Sequence, residues 1–415
     1  MQARSKVAIV GAGLSGLSCA LELQRRKISF HIYEAADDIG GRVRTDLVDG
    51  FLLDRGFQVL LTSYPEVQQE LDLKSLMACP FESGASIRYR NSFQRILNPL
   101  QHPDHVLAAI GTPIATIGDK LCVAKLCATV LRSHMQLGDG RRTSTAQELT
   151  NDGFSDKVIN GFFRPFFGGV FLETELSTSS DLFNFLFSMF ATGRAVLPAA
   201  GMGAIPKQLV SRLPPDSISL NSPVYQADAG TLILSSGESL QYDAVVVATE
   251  QPNARRLIGE LSERKSKGVT CMYFAADKPP FRAPLLVLNG DEEGPINNLC
   301  IPTNVCPSYS TSGKALISVT VLNDSSKHRL NDRSVQQQLV TWFGAEVEKW
   351  QPVRTYNIQY GLPDESLEGQ AARPKSLRVR KGLYVCGDHA EQASINGAMM
   401  SGRKAAIAVS EDLKI

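Results

Sequence analysis

Lys6-Val7-Ala8-Ile9-Val10-Gly11-Ala12-Gly13-Leu14-Ser15-Gly16-Leu17 decides the fold of this chain. Lys6–Val10 is a short apolar run with β-branched members that ends in glycine, the pattern of a buried parallel strand. Leu14, Leu17 and Leu21 then recur at helical spacing, which predicts a helix over Leu14–Arg26. Ser29–Glu34 reads as a second strand, so the stretch is a βαβ unit opening a doubly wound sheet. Gly11 permits the tight turn, Gly13 lets the backbone approach a pyrophosphate, and Gly16 lets helix and strand pack closely. The backbone of Gly11, Ala12, Gly13, Leu14, Ser15 and Gly16 is therefore expected to cradle phosphate at the positive end of the helix. Glu34, with the adjoining Ala35, is placed to accept both hydroxyls of a ribose, and an acid there disfavours a 2′-phosphate.

Gly40-Gly41-Arg42-Val43-Arg44-Thr45 follows soon after Glu34. These glycines predict a second backbone loop beside the pyrophosphate, with Arg42 neutralising phosphate charge. On these motifs the sequence resembles the FAD-dependent superfamily of flavin amine oxidases, protoporphyrinogen oxidase and phytoene desaturases. Three more segments carry the resemblance: Ala244–Thr249 (AVVVAT), the Gly-rich Pro198–Ile205, and Leu383–Ala406. The last holds Gly387-Asp388 and Gly397-Ala398…Ser401-Gly402, and is most like the plant-type phytoene desaturases. The resemblance implies non-covalent FAD, with Val224 against adenine and Ala248 and Thr249 at the mid-chain strand end. It also places Gly56, Phe57 and Gln58 where the chain passes the flavin ring.

The C-terminal motif also makes physical sense. Asp388 follows a strand and a glycine and can accept a sugar hydroxyl. Ser394, Ile395 and Asn396 open a helix whose positive end can stabilise charge on reduced flavin, while Ala398 and its small neighbours allow close approach.

Taken together, the elements predict an α/β protein: a Rossmann-like FAD-binding domain of GR2 type with an inserted α+β substrate-binding domain. The expected division gives residues 1–62, 196–255 and 376–415 to the first and 63–195 and 256–375 to the second. Helices are expected at Pro65–Leu73, Thr116–Arg132, Phe154–Phe163 and Gln336–Trp350. Strands are expected as a pair within Gly50–Leu61, as a meander over Ser217–Thr249 feeding the main sheet, and at Gly268–Ala276, Lys314–Leu322 and Leu383–Cys386.

The expected chemistry is transfer of hydride from an apolar isoprenoid, polyene or cyclic substrate to flavin N5, with O2 or a quinone as acceptor. The amine oxidases of the resembling family carry a lysine in a strand where this chain has Thr270, and aromatics where it has Ala393-Ser394-Ile395. An amine or amino-acid oxidase is the first alternative, and a flavin-binding assembly protein without turnover the second. The phenylalanine-rich tract Phe162–Phe190 suggests an apolar pocket, with Phe166 and Phe187 as wall and Arg164 holding a substrate carboxylate. Tyr356 and Tyr360 are expected to face the ring, and Gln58, Tyr360 and Asn396 are the catalytic candidates.

The 415 residues carry a net charge of +1 and no basic run, which argues against nucleic acid. The histidines His31, His102, His105, His134, His328 and His389 show no metal-like spacing, so no metal is expected. Eight cysteines without a CxxC pair suggest a reducing, cytoplasmic setting, with no disulfide framework. With Lys6 already in a strand, no signal peptide is expected. Two apolar stretches, Val106–Gly118 and Leu182–Gly193, leave peripheral membrane contact as a minority alternative to core packing.

Overall fold

The computed structural model describes residues 6–97, 113–132, 143–323 and 332–414. His102, His105, His134, His328 and most of Val106–Gly118 lie outside them.

The strand Val7–Val10 is apolar on both faces and 0–4% exposed, so it takes an interior place in a six-stranded sheet. Phe30–Tyr33 and Ala244–Val247 flank it in parallel, with Val7 beside Phe30 and Ala244. Ile218–Ser219 extends the sheet on one side. Leu383–Val385 extends it on the other in parallel, followed by an antiparallel edge at Arg378–Arg380. One sheet thus gathers strands from the beginning, middle and end of the chain.

Two helices cover its face at unusually short range. Leu14–Arg25 meets the last helix, Ile395–Leu413, where Gly402 faces Ser15; a Cβ on Gly402 would lie 2.0 Å from the Ser15 carbonyl oxygen. The Ser15 hydroxyl donates to the Ala398 carbonyl at 2.8 Å. Gly16 is equally tight, since a Cβ there would lie 2.0 Å from the Gly11 carbonyl oxygen.

A seven-stranded sheet forms the other half. Its order is Gln351–Pro363, Ser266–Ala276, Ala315–Leu322, Ile296–Cys300, Leu286–Asn289, Gly84–Tyr89, Ser92–Leu97. Every pairing is antiparallel except Leu286–Asn289 with Gly84–Tyr89. The helix Ser180–Thr192 packs its Leu182, Phe183, Phe185, Leu186 and Met189 inward. That tract is core and cavity wall rather than a surface patch. Among the described residues no helix is long and apolar enough to cross a membrane.

Several elements differ from the sequence expectation. The Gly50–Leu61 pair is a hairpin of Thr45–Val48 and Phe51–Asp54, turned at Asp49 and Gly50, which both have positive φ; Leu60–Leu61 joins another sheet. The meander Val224–Asp228, Thr231–Leu234, Ser239–Gln241 forms a small antiparallel sheet of its own, and from Ser217–Thr249 only Ile218–Ser219 and Ala244–Val247 enter the main one. The helix expected over Phe154–Phe163 is the short Asp156–Val158 followed by one wide turn, Ile159–Phe163, before Arg164–Phe171. The helix near Trp350 spans Asp332–Phe343 and stops at Gly344, whose positive φ breaks it.

The expectation of no disulfide is overturned at one place. Cys79 and Cys306 are bonded, with Cα atoms 5.5 Å apart across 227 residues of sequence. No local spacing announces such a pair, because only the tertiary fold brings the two segments together.

Asp54 ties the Thr45–Val48 and Phe51–Asp54 hairpin to the seven-stranded sheet and to the segments that carry Met202 and Tyr309. Its carboxylate accepts the Thr45 hydroxyl (2.5 Å), the Met202 N–H (2.9 Å) and the Tyr309 hydroxyl (2.8 Å). The Tyr273 hydroxyl donates to its carbonyl oxygen at 2.9 Å. Burial pushes Asp54 up from 3.8 to about 6 despite these donors. The folded state then keeps a proton that the unfolded chain has released. This contribution is complete below pH 3.8 and lost as pH rises through about 6. Melting curves between these limits should show the wild type losing up to about 3 kcal/mol relative to Asp54→Asn as pH rises, at about 1.4 kcal/mol per unit. A pH-independent difference between the two proteins would contradict this.

Candidate cofactor and substrate site

A cavity of about 680 Å³ opens above the carboxyl ends of the central strands. Its lining divides into a polar end and an apolar end.

The polar end is built by the glycine turns. Gly13 precedes the first helix, and that helix start has no side-chain cap, so its first N–H groups are left for a ligand. A Cβ built on Gly13 meets nothing within 4 Å, whereas one on Gly11 would sit 3.2 Å from the Ala248 carbonyl oxygen. Gly13 bridges to Gly40, and Gly41 stands opposite it with a positive φ. Glu34 is fixed by the Ala12 N–H (2.6 Å) and the Ala36 N–H (2.9 Å), which hold its carboxylate at the cavity edge.

Arg42 reaches across to Asp388 at 2.7 Å and donates to the Gly361 carbonyl at 2.7 Å. Burial pushes Asp388 up, but the charge and hydrogen bond of Arg42, with His389 and Arg264 beyond, together outweigh it and hold the carboxyl below its usual range. Beside them Glu250 is pushed up by burial. His389 is fully buried with neither ring nitrogen bonded, and burial pushes it down to about 4, so the ring is neutral at pH 7.

The open space at Gly13, the uncapped helix start and the acid at Glu34 fit a dinucleotide. Gly11, Gly13, Leu14 and Ser15 would hold pyrophosphate with Gly40, Gly41 and Arg42, and Glu34 would hold ribose, with Ala35 beside it. Val224, Ala248, Thr249, Gly387 and Asp388 line the same cavity, as do Ser394, Ile395 and Ala398. Ala12 and Gly16 stand behind it, the first orienting Glu34 and the second packing on Gly11.

The apolar end is walled by Phe57, Leu61, Tyr64, Phe166, Leu186 and Phe190. The polar groups here are the side chains of Gln58 and Asn298 and the Tyr64 hydroxyl. Gln58 spends its amide nitrogen on the carbonyls of Arg42 (3.0 Å) and Arg55 (3.1 Å). Asn298 donates to Thr320 at 3.3 Å.

Other expected residues lie elsewhere. Arg164 pairs with Glu175 (3.7 Å) and Glu292 (3.5 Å) and also bonds Asn160 and the Thr174 carbonyl, away from the cavity. Phe187 packs on Phe183, with ring centroids 5.9 Å apart, because the helix points Leu186 and Phe190 to the cavity instead. Asn396 is buried under the site, its carbonyl accepting the Glu66 N–H at 3.0 Å. Tyr356 and Tyr360 line an adjoining, more open cavity of about 710 Å³ that shares Arg42, Arg55, Glu250 and Ile358 with the first. There Tyr356 donates to Asp46 at 2.7 Å, and Arg42 lies over the Tyr360 ring at 5.3 Å. Thr270 is buried between the side-chain carbonyls of Asn323 and Asn357 (2.9 and 2.8 Å), so no amine stands on that strand position.

Sequence reasoning missed Tyr64, Leu186, Leu286, Asn298 and Leu362 as lining residues. For Leu186 a signal existed, since it is one helical turn before Phe190. The others reach the site only through long-range packing.

The family model for flavin-containing amine oxidoreductases matches residues 14–410. Protoporphyrinogen oxidase 2 of Arabidopsis thaliana is 24% identical over 167 residues, covering 40% of this chain and 32% of that protein. The match to this relative thus spans about a third of its length. Hydroxysqualene dehydroxylase of Rhodopseudomonas palustris is 40% identical over 58 residues, 14% of each chain. Cyclohexylamine oxidase from Brevibacterium oxydans superposes with a TM-score of 0.73 at 16% identity, over 100% of both chains.

The two glycines predict opposite behaviour. Gly13→Val fills open cavity space, so it should abolish flavin retention on purification and melt close to flavin-free wild type, below the flavin-loaded protein. Gly16→Ala drives a methyl into backbone and should lower stability by about 1–3 kcal/mol. Thermal melts and the flavin absorbance of the purified variants check both.

Proposed function

The chain belongs to the flavin-containing amine oxidoreductases and is an FAD-dependent oxidoreductase, and from that premise we propose that it withdraws hydride from carbon of an apolar small molecule: an isoprenoid, a polyene or a cyclic compound. FAD, when bound, supplies the hydride acceptor at its N5 and later returns the electrons to O2 or a quinone. The chain's own work is to bind, orient and exclude water.

One observation carries this reading. The charged lining residues Glu34, Arg42, Arg55, Glu250, Arg256 and Asp388 stand on the segments that carry the glycine turns and strand ends, while Phe166, Leu186 and Phe190 wall the other end. A substrate ammonium or carboxylate would lose its hydration there without finding a counter-charge. An apolar molecule would gain from the same surface. The names of the porphyrinogen and hydroxysqualene relatives agree with such a substrate.

The protein residues have distinct roles in this reading. The start of the Ile395–Leu413 helix, capped by Ser394 through the Gly397 N–H at 2.9 Å, directs its positive end toward developing negative charge. Gln58 holds the turn that carries Gly56 and Phe57 against the cavity. The segments 1–62, 196–255 and 376–415 form the cofactor unit, and 63–195 and 256–375 the substrate unit.

The amine-oxidase alternative draws support from the fold shared with cyclohexylamine oxidase. Anaerobic mixing distinguishes the readings. Cyclic, isoprenoid or polyene donors should bleach the flavin absorbance, whereas primary amines and amino acids should not. Bleaching by amines alone would overturn the proposal, and bleaching by no donor would favour a non-catalytic flavin-binding role. Phe166→Ala with Phe190→Ala should raise KM for the apolar donor by about 10–100-fold, the loss of a buried aromatic contact, at unchanged flavin content.

A further inference from the structure

A buried ionic cluster lies behind the cofactor cavity, and none of its side chains lines that cavity. Arg264 and Glu365 form its core, with side chains 1% and 3% exposed and 3.1 Å apart. Arg264 spends its remaining donors on backbone, and the Glu365 oxygen that faces it also accepts a backbone N–H. Arg264 donates to the Asp364 carbonyl through two nitrogens (2.9 and 2.5 Å) and to the His389 carbonyl through a third (2.6 Å). Glu365 accepts the Ala393 N–H at 2.9 Å.

His389 and Ala393 bound a turn whose neighbours Asp388, Ala393, Ser394 and Ile395 line the cavity. The pair therefore grips this cofactor-facing turn at both ends from the far side. The Glu365 carbonyl also accepts the Ser179 N–H at 2.9 Å. Ser179 caps the helix that presents Leu186 and Phe190 to the apolar end. One residue thus ties the cofactor turn to the substrate wall. Arg373 holds the other Glu365 oxygen at 2.7 Å, is 29% exposed, and touches neither His389 nor Ala393.

We infer that Arg264 and Glu365 are positioning residues for FAD: they hold the 388–394 turn in the shape that binds the flavin, without touching it. Two charges withdrawn from water are costly unless their geometry is put to use, and here each meets a backbone group that a hydrophobic pair would leave unsatisfied. The guanidinium is suited to this because its planar fork addresses two carbonyls at once, which an ammonium cannot match.

The inference rests on FAD binding and not on the nature of the substrate. The test measures FAD dissociation from purified holoenzyme by recovery of flavin fluorescence, with the flavin's midpoint potential as a second readout. Arg264→Met should raise the FAD Kd by about tenfold or more, the scale seen when an outer partner that orients a ligand is removed. It should also shift the potential, because the Asp388 charge and the helix start move relative to the ring. Arg373→Met breaks an ion pair on the same carboxylate but leaves both grips intact, so its Kd and potential should match wild type. Arg264→Lys keeps the charge and loses the fork, and its Kd should fall between the two. It also serves as the test should the Met variant fail to fold. Wild-type Kd and potential in a folded Arg264→Met or Arg264→Lys would overturn the inference, as would an equal loss in Arg373→Met. A wild type that holds no FAD would instead sink the cofactor assignment itself.

Discussion

The cofactor half depends on how closely two helices can lie. Leu14–Arg25 and Ile395–Leu413 touch through Ser15 and Gly402, where no side chain larger than hydrogen fits against the Ser15 carbonyl. Gly16 imposes the same condition on the turn beneath. Because these contacts are backbone against backbone, they fix both helix starts relative to the central strands to within a fraction of an ångström. Both helix starts then face one cavity. Arg42 and Asp388, 346 positions apart in sequence, meet at 2.7 Å across it.

The two ends of that cavity obey different physics. At the nucleotide end the ligand is charged and the protein answers with N–H groups, an acid for hydroxyls and a paired arginine. At the other end the wall is aromatic and aliphatic, and its polar side chains Gln58 and Asn298 have their nitrogens committed to the protein. Under the proposed reading, orientation there would come from shape, which tolerates variation among ligands more readily than a hydrogen-bonded site does.

How much of this was legible follows from how local each signal is. Gly11–Gly16, Glu34 and Gly40–Arg42 could be read because the spacing itself encodes the turn, the helix start and the ribose contact. The phenylalanine tract announced an apolar region but not which face meets the ligand. Phe190 and Leu186 point to the cavity while Phe187 points to Phe183, and the wide turn at Ile159–Phe163 resets the phase before Phe166. Arg164, Tyr356 and Asn396 have protein partners that the sequence did not reveal, for a different reason. The partners Asp46 of Tyr356 and Glu66 of Asn396 are remote in sequence, while Arg164 meets Asn160 and Glu175 nearby as well as the distant Glu292, contacts that its spacing alone does not announce. The Cys79–Cys306 bond was invisible on the same grounds.

The six-stranded sheet takes its strands from the first fifty residues, the middle and the last forty. A nascent chain therefore cannot hold its cofactor while the ribosome is still adding residues before Leu383. The Val7–Val10 strand lacks one neighbour until Ala244–Val247 is made, and the first helix lacks the surface that Gly402 will cover until the last residues are added. Loading with FAD becomes a late event in the life of each molecule, after the substrate-side sheet has already had time to form.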